Sequence, residues 1–590
     1  MKLNRRSFLQ SSVSAIASSS LFEGVSFAAK SGAEDPKESP ALHRLIEQER
    51  RAIQDAITKD GVEGIAVCLI HEGLPVWVEG FGVTTQGGSR VDSNTMFSIQ
   101  STSKNLTAVA ILLAVQQGLL DLDAPITAYL PKWSVQSRFE SAPQDKITLR
   151  LLLSHRAGFT HEAPVGNNYD PAFPSFDAHV SSISKTWLRY PVGERYHYSN
   201  LGFDLAGYIL QTKTGKPFAD WVQEALFQPL GMHNATFSSD DYEARTNRAV
   251  GHAKGYDAVP LRTPLIPSGG VYISAQDMAT YASFHLGKGT FQEKTLLERR
   301  LWDEMHGFAL GGDYGLGIIR SEVQYGQRPL RLLGHKGGGF GFGSVFDYCP
   351  EAQLAWAAFF NRPVGACYGL GRDLLKGILT AKYGERVPRL RSEELAPIQL
   401  TERQLRPLTG DYIGRNSSVP FSLSGVNLVK QEDGVQSTLQ FTSPTDAFFV
   451  DEEKEIVRYR FYPGTDKAPL RLECSETERD LDWNSRPGDP LGPNKPEWRS
   501  YLGKYVIDQW GVRALHVTID LQSGYLCLNG IRLIQEISPG LFFTSDGEAV
   551  DFRDRQATWK NLRLVRLSGD DAATSPVSPR MRGSFAYGAG

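Results

Sequence analysis

Apolar and polar positions in the first part of the chain follow helical and strand periodicities in turn. Ser39-Pro40 supplies an N-cap and a proline at the first helical position, and apolar residues then recur on one helical stripe as far as Gly61. Two apolar runs at 64–71 and 76–82, joined by turn-forming residues, predict a pair of strands. Residues 101–117 are apolar nearly all round, which predicts a buried helix.

Strand character returns late in this region. Apolar runs predict the remaining elements, which are a helix at 201–214, strands at 330–335, 344–348 and 354–360, and a last helix near 368–383. Strands at both ends with helices between them predict an α/β fold, in which an antiparallel sheet is flanked by helices and carries an inserted all-helical region. We place this domain at residues 38–385.

The C-terminal third has the short alternating runs of an all-β region. Asn529-Gly530, between two apolar runs, is a strong hairpin signal. Residues 385–400 and the Pro/Gly-rich 486–496 are typical of linkers, and the segments after them open alike, with LTGDYI and YLGKYV. We predict two small, related antiparallel β-barrel-like domains and a disordered Gly/Ser/Pro-rich tail. Their predicted limits are 398–485, 497–568 and 569–590.

Composition narrows the possible functions. The 590 residues are 41% hydrophobic and 22% charged, which allows packed cores and excludes a disordered chain. The net charge of −3 gives no basic field, and no nucleic-acid-binding motif is present, so we predict no nucleic-acid partner. No uncharged apolar stretch of about 18 residues occurs, which predicts no membrane span. Five cysteines without a C-x-x-C pair leave at least one unpaired and give no sign of zinc or redox chemistry.

The N-terminus has the pattern of an export signal. Arg5-Arg6 precedes Ser7-Phe8-Leu9 and a weakly apolar Ser/Ala-rich stretch, and Ser26-Phe27-Ala28 resembles a small-residue cleavage site near Ala28. This resembles a twin-arginine signal peptide over residues 1–28. We therefore expect a periplasmic or secreted protein that crosses the membrane already folded. The alternative is a basic N-terminus without a targeting role.

Ser101-Thr102-Ser103-Lys104 lies at the start of the predicted buried helix. A spacing of three puts Ser101 and Lys104 one helical turn apart on one face. A serine hydroxyl becomes a strong nucleophile when a neighbour takes its proton, and a desolvated lysine can do so. The alternative is a plain N-capping serine. The same pattern recurs at Ser182 and Lys185, which we interpret as solvated surface.

Tyr198-Ser199-Asn200 precedes the helix predicted at 201–214. On an extended segment, residues two apart point to one side, so Tyr198 could transfer a proton and Asn200 could hold substrate or lysine. The alternative is that Asn200 caps the helix and Tyr198 packs in the core.

His335-Lys336-Gly337-Gly338-Gly339 ends one predicted strand. Its glycines allow a substrate to lie against the strand edge, and they leave backbone N–H groups available for an oxyanion hole. The alternative is a flexible hairpin turn in which His335 has no special role.

In this order, the three motifs resemble the S-x-x-K, Y-x-N and K-T-G motifs of serine β-lactamases and penicillin-binding proteins. The similarity is greatest to the class C β-lactamase-like branch, which includes esterases and D-aminopeptidases, and it covers roughly residues 40–385. Flanking sequences typical of that group are present at 151–158, 191–194, 229–232 and 267–270. No G-x-S-x-G elbow occurs, which argues against an α/β-hydrolase.

The resemblance implies roles for individual residues. Ser101 would be the acylated nucleophile, and Lys104 and Tyr198 would move protons to and from it. The implied substrate contacts come from Asn200, His335, Lys336 and Gly337. The backbone N–H groups of Ser101 and Gly338 would form the oxyanion hole. No metal or organic cofactor is implied, and the expected substrate is a small molecule or a short peptide.

The third motif departs from K-T-G, because His335 replaces the lysine and Lys336 the threonine. A lysine supplies a fixed cation for the carboxylate of a β-lactam or a D-Ala-D-Ala peptide, whereas histidine is largely neutral at pH 7. We therefore expect cleavage of esters, small amides or D-amino-acid peptides rather than efficient β-lactamase activity. Lys336 would restore a charge unless strand alternation turns it away from the pocket.

The sequence thus predicts an exported serine hydrolase that works through a Ser101 acyl-enzyme. It leaves open a true β-lactamase, a D-Ala-D-Ala carboxypeptidase, and a non-catalytic sensor or cell-wall binder on the same scaffold. The family resemblance extends to D-aminopeptidases with lipocalin-like β domains, which can hold a ligand, cover the site, or act as spacers or dimer contacts. A further alternative gives these β domains the main function. The oligomeric state is left open, a homodimer included.

Overall fold

The computed structural model describes residues 39–567 except for 167–173, 254–265, 308–313, 340, 415–417, 433, 453, 463–469, 475–480, 487, 510–511 and 555. The predicted export signal at 1–28 and the predicted tail at 569–590 lie outside the described residues. In the part of the chain that is described, no helix is both long and apolar enough to cross a membrane.

The first domain contains these elements in chain order. Its helices are α1 Pro40–Lys59, α2 Ser103–Gln116, α3 Leu149–Leu153, α4 Phe176–Ile183, α5 Asn200–Thr214, α6 Phe218–Val222, α7 Ser239–Ala244, α8 Ile266–Gly269, α9 Ala275–Leu286, α10 Arg299–His306 and α11 Arg372–Tyr383. Its strands are β1 Gly64–His71, β2 Leu74–Gly82, β3 Met96–Ser98, β4 Ala235–Thr236, β5 Tyr272–Ser274, β6 Thr290–Phe291, β7 Lys294–Thr295, β8 Ile319–Tyr325, β9 Arg328–Gly339, β10 Phe342–Cys349, β11 Leu354–Phe360 and β12 Arg386–Val387.

The main sheet joins strands from both ends of this domain. It has seven strands in the order β12-β8-β9-β10-β11-β1-β2, and every neighbouring pair is antiparallel. The early strand β1 pairs with the late strand β11, with Ala66 opposite Phe359. The predicted α/β fold, with helices around an antiparallel sheet, is confirmed.

Side-chain alternation gives the sheet two buried faces. Along β1, Ile65 and Val67 pack with α1 and α11, whereas Ala66 and Cys68 join the larger core around α2, α5 and α9. Because both faces are covered, β1 reads as an unbroken apolar run. The face that carries α2 is therefore the one next to Ser101.

The C-terminal third is all-β, as predicted, after a short helix α12 Glu402–Leu405. A nine-stranded antiparallel sheet contains β13 Gly410–Ile413, β14 Ser418–Ser424, β15 Asn427–Glu432, β16 Val435–Thr438, β17 Gln440–Phe441, β18 Asp446–Val450, β19 Ile456–Tyr462, β20 Arg471–Cys474 and β21 Leu481–Ser485. A closed barrel contains β22 Gly503–Gln509, β23 Val512–Gln522, β24 Tyr525–Leu528, β25 Ile531–Ser538, β26 Leu541–Thr544, β27 Ala549–Asp551, β28 Thr558–Trp559 and β29 Leu562–Arg566. The second unit is thus a closed barrel, whereas the described strands of the first form a sheet that runs from β16 to β17.

Two features of this region follow from local sequence. Asn529 and Gly530 have φ angles of 51° and 83°, the conformation that a two-residue hairpin turn requires, and they join β24 to β25 as predicted. The predicted linker at 385–400 is more structured than expected. Its β12 pairs with β8, and the buried Glu394 receives a hydrogen bond of 2.6 Å from Arg458 Nε of β19. The segment therefore ties the two domains together.

Candidate active site

Ser101 lies in a single 3₁₀ turn, Gln100–Thr102, directly ahead of α2. The turn packs against β9, where a Cβ atom at Gly337 would overlap the carbonyl oxygen of Ile99. Glycine is therefore required at 337 for this close approach. Ser101 itself is half-buried, and its Oγ lies 3.1 Å from Lys104 Nζ. The spacing of three brings the two side chains together, as the sequence indicates.

Lys104 is fully buried and lies among polar acceptors. Besides Ser101 Oγ, its Nζ lies 2.8 Å from Asn200 Oδ1 and 2.9 Å from the carbonyl oxygen of Ser268. It also lies 4.7 Å from the ring centre of Tyr198. A buried amine needs such acceptors, because leaving its donors unsatisfied would cost several kcal/mol. The lysine is thus held with its nitrogen at the serine.

The second motif reaches the same lysine. Ser199 rather than Asn200 caps α5, because Ser199 Oγ accepts the N–H of Leu201 at 3.2 Å. Asn200 is the first residue of the helix, and its side chain is free of the capping role and contacts Lys104. Tyr198 is 2% exposed and lies among the rings of this site. The structure therefore brings both motif residues to Lys104.

The third motif divides between the two faces of the sheet. His335 lies opposite Phe346, whose side chain belongs to the core around α2, whereas Lys336 lies opposite Val345, which packs with α1 and α11. The structure thus places His335 beside Lys104 and does not bring Lys336 to this pocket. Strand alternation is the physical reason.

His335 is neutral in this environment. Its Nδ1 donates to the carbonyl oxygen of Lys336 at 2.7 Å, which leaves Nε2 to accept the hydroxyl of Tyr314 at 2.9 Å. Burial, reinforced by the charge of Lys104, lowers the pKa of His335 to about 3. The position that carries a cation in the K-T-G motif is therefore uncharged here.

The glycines after His335 lie along an open part of β9. Strand β8 pairs with β9 as far as Gly334, and Gly338 then lies opposite Gly343 of β10. Beyond Gly334, the described residues add no further strand on the β8 side. Such an edge can offer backbone N–H groups to a ligand, as an oxyanion hole requires, and the role of Gly338 stays a prediction.

Three contributors to the site were not assigned from the sequence. They are the carbonyl of Ser268, the phenol of Tyr314, and His155, whose Nδ1 accepts the N–H of Ser199 at 3.2 Å. Ser268 and His155 lie within the flanking sequences that resemble the family. The sequence therefore marked both segments but assigned no role to either residue. Tyr314 lies on an irregular segment, where no periodicity marks it.

The second S-x-x-K pattern forms no comparable pair. Lys185 is exposed, as expected, but the interpretation of Ser182 as solvated surface is wrong. Ser182 is 2% exposed, and its hydroxyl donates to the carbonyl of His179 at 2.8 Å at the end of α4. The buried face of a short amphipathic helix explains the difference.

The described residues contain no group of three or more His, Cys, Asp or Glu side chains that could hold a metal ion. Cys68, Cys349, Cys367 and Cys527 are buried thiols outside any disulfide.

The chain matches known proteins over the domain that carries this site. The sequence model of the beta-lactamase family matches residues 49–376, which is more than half of the chain. The fold and this family match place the chain in the serine β-lactamase and penicillin-binding superfamily. The chain belongs to the beta-lactamase family.

Two relatives and one solved structure show the range of similarity. The chain is 28% identical over 250 residues to beta-lactamase-like protein 4 of Dictyostelium discoideum, a match that covers 40% of this chain and 44% of that protein. It is 26% identical over 308 residues to the D-alanyl-D-alanine-carboxypeptidase/endopeptidase AmpH of Escherichia coli (strain K12), covering 50% and 78%. The crystal structure of SurE matches in fold at 20% identity with a TM-score of 0.53, covering 75% of this chain and 99% of that chain. The match thus spans less than half of the first relative's length.

Buried neutral histidines should make the protein lose stability in acid. Burial lowers the pKa of His335 and His306 to about 3 and that of His285 well below its ordinary value. Histidine in an unfolded chain titrates near about 6.5. Between those values the unfolded chain binds protons that the folded protein does not, so stability falls as pH decreases from about 6.5 towards 3.

We expect calorimetry to show a melting temperature that decreases through this window, and a shallower decrease in His335→Gln, which removes one of the three groups. An identical pH dependence in the variant would show that His335 takes up its proton in the folded state.

Proposed function

We propose that this chain hydrolyses an ester or amide bond through an acyl-enzyme on Ser101, as a hydrolase of the class C-like esterase and D-aminopeptidase type. The observation that carries the proposal is the contact of 3.1 Å between Ser101 Oγ and the fully buried amine of Lys104. D-Amino-acid peptides are the proposed amide substrates.

The surroundings of Lys104 support its action as the base. Asn200 Oδ1 and the Ser268 carbonyl can each take one N–H of a neutral amine, at 2.8 and 2.9 Å. Ser101 Oγ, at 3.1 Å, lies within reach of the lone pair of this nitrogen. Lys104 can therefore take the hydroxyl proton while Oγ attacks the substrate carbonyl carbon.

The remaining steps use groups beside this pair. The negative oxygen of the tetrahedral intermediate is stabilised by the backbone N–H groups of Ser101 and Gly338. The proton held by Lys104 passes to the leaving group, with Tyr198 as the second proton-transfer group. Water then attacks the acyl ester, gives its proton to the same base, and Ser101 Oγ leaves as a hydroxyl.

The neutrality of His335 supports substrates without an obligatory carboxylate at that position. Lys336, on the opposite face of the sheet, supplies no replacement cation. The similarity to AmpH, whose name specifies D-alanyl-D-alanine peptides, favours D-configured amides and makes a carboxypeptidase the second candidate. A carboxypeptidase would have to bind the terminal carboxylate by groups other than His335.

The test is the mass of the intact protein after incubation with a fluorophosphonate and, separately, with benzylpenicillin. We expect a fluorophosphonate adduct that is absent in Ser101→Ala and retained in Ser182→Ala, the serine of the second S-x-x-K pattern. A lasting penicillin adduct would favour the carboxypeptidase. Failure of both reagents to react would leave a scaffold without turnover and contradict the proposal.

Replacing His335 with lysine should change substrate preference. A fixed cation at this position favours a substrate that carries a free carboxylate. We expect the ratio of kcat/KM for 4-nitrophenyl hemisuccinate to that for 4-nitrophenyl acetate to rise by about tenfold, the effect of about 1.4 kcal/mol. His335→Gln, which stays neutral, is the control and should leave the ratio unchanged. Equal ratios in all three proteins would refute the proposed role of the charge at 335.

We also propose that the protein is exported by the twin-arginine route, which rests on Arg5-Arg6 and the small residues ending at Ala28. Replacing both arginines with lysine should retain the uncleaved precursor in the cytoplasm on fractionation, and unchanged export would contradict the proposal.

A further inference from the structure

One turn of the C-terminal barrel is buried against the first domain. Residues 545–548 connect β26 to β27, and Ser545, Asp546 and Glu548 are at most 5% exposed. Loops of a barrel ordinarily lie at the surface, so this degree of burial needs a partner. The partner is the segment that precedes the Tyr198 motif. Gly547 has a φ of +80°, and a Cβ atom there would lie 3.1 Å from the carbonyl oxygen of Arg189.

Buried charges hold the turn in place. The side chain of Arg189 is 2% exposed; its Nε donates to the Asp546 carbonyl at 2.8 Å and its Nη1 lies 3.2 Å from Glu548 Oε1. Nearby, Arg195 Nη2 donates to Asp482 Oδ1 of β21 at 2.8 Å. Guanidinium groups at this depth require their carboxylates, because an unpaired buried charge is strongly destabilising. The β domains are therefore fixed to the catalytic domain through these arginines.

The second oxygen of Glu548 has a different partner. Glu548 Oε2 accepts the hydroxyl of Thr160 at 2.7 Å, and the carbonyl oxygen of Thr160 accepts the hydroxyl of Ser199 at 2.6 Å. Ser199 is the N-cap of α5 and stands between Tyr198 and Asn200. A carboxylate of the barrel is thus connected by two hydrogen bonds to the segment whose next side chain contacts Lys104. Thr160, Ser199 and Glu548 are each at most 3% exposed.

We propose that Glu548 is a positioning residue for the catalytic domain, acting through Thr160 and Ser199 on the placement of Tyr198 and Asn200. A barrel that served as a spacer would need the pairing with Arg189 and no contact with Thr160. The use of both carboxylate oxygens, one for docking and one for the path to Ser199, carries the inference. The expected effect on rate rests on the proposed function. The hydrogen bonds that join Glu548 to Ser199 do not depend on whether the chain turns over a substrate.

Two substitutions at Thr160 test the path without changing the docking carboxylate, and a third, at Glu548, alters both. Thr160→Val removes the hydroxyl at nearly constant volume, Thr160→Ser restores it, and Glu548→Gln keeps the shape but loses the charge. Misplacement of catalytic groups by a fraction of an ångström to 1 Å costs up to about 100-fold in rate. We expect Thr160→Val and Glu548→Gln to acylate Ser101 about 10- to 100-fold more slowly with 4-nitrophenyl acetate, with KM nearly unchanged. Thr160→Ser should recover the rate.

A control and a second readout keep this test independent of stability and of the proposed activity. Glu536→Gln alters a barrel carboxylate that binds Lys495 and Trp498 instead, and it should leave the rate unchanged. Hydrogen exchange of the peptide spanning 197–203 should become faster in Thr160→Val and in Glu548→Gln, because the cap of α5 loosens, and remain slow in Thr160→Ser.

The outcomes are distinguishable. Faster exchange in Thr160→Val and Glu548→Gln, together with a wild-type chain that does not react with acylating reagents, would support the positioning role and refute the proposed function. Unchanged exchange and unchanged acylation in both variants would overturn the inference. A slower reaction with unchanged exchange would also overturn it, because Glu548 would then act by a route other than Ser199.

Discussion

Replacing Ser101 with alanine is expected to lower kcat by about 10⁵- to 10⁶-fold, to the level that substrate binding and the backbone N–H groups sustain alone. The loss is this large because covalent catalysis has no substitute once the nucleophile is absent. Stability should change by at most about 1 kcal/mol, since one hydrogen bond to Lys104 is lost from a half-buried position. Initial rates with 4-nitrophenyl acetate and a melting curve measure both quantities on the same sample.

Ser182→Ala is the matched control for this substitution. Ser182 occupies the same position in the second S-x-x-K pattern, and its buried hydroxyl donates to the carbonyl of His179 and accepts the N–H of Val165. Its loss should lower stability by about 1–3 kcal/mol and leave turnover unchanged. Substantial turnover by Ser101→Ala, with Ser182→Ala normal, would remove Ser101 from the mechanism. Equal losses in both would indicate a damaged fold instead of a missing nucleophile.

The architecture was predictable where burial imposes a period on the sequence. The strand predicted at 64–71 has those limits in the structure, because a strand covered on both faces must be apolar throughout. The helix predicted at 201–214 begins one residue earlier, at Asn200. The start of α2 was less predictable. Gln100 adopts a φ of +50°, and the serine lies in a 3₁₀ turn, a local geometry that apolar periodicity does not encode.

The candidate site was predictable where chemistry lies close in sequence. Ser101 and Lys104 meet because a spacing of three places them one turn apart. The position of Lys336 on the opposite face of the sheet follows from alternation along β9. Contacts between distant segments were not predictable in this way. Tyr314 reaches His335, and Glu548 reaches Thr160 across 388 residues, through tertiary packing that no local pattern records. The family resemblance supplied the association of Tyr198 with Ser101, which spacing alone leaves open.

Replacing Lys104 with methionine is expected to lower kcat by about 10³- to 10⁴-fold, at the upper end of what removal of a general base costs. Methionine fills most of the space of the lysine stem, so the surrounding core is retained while the amine is removed. The acceptors Asn200 Oδ1 and the Ser268 carbonyl then lose their buried donor, at about 1–3 kcal/mol each, and the melting temperature should fall. Rates must therefore be compared well below that temperature.

The exposed Lys185 provides the matched control, since Lys185→Met makes the same chemical change in the second S-x-x-K pattern. It should change neither the activation free energy nor the free energy of unfolding by more than about 0.5 kcal/mol.

The rate of fluorophosphonate labelling distinguishes the roles of Lys104. If the lysine is the base, labelling of Ser101 should slow in parallel with kcat, because both reactions need the hydroxyl proton removed. If labelling remained fast while ester turnover fell, Lys104 would act after acylation. Another group would then have to activate Ser101, and Tyr198, whose ring lies 4.7 Å from Lys104 Nζ, would be that group.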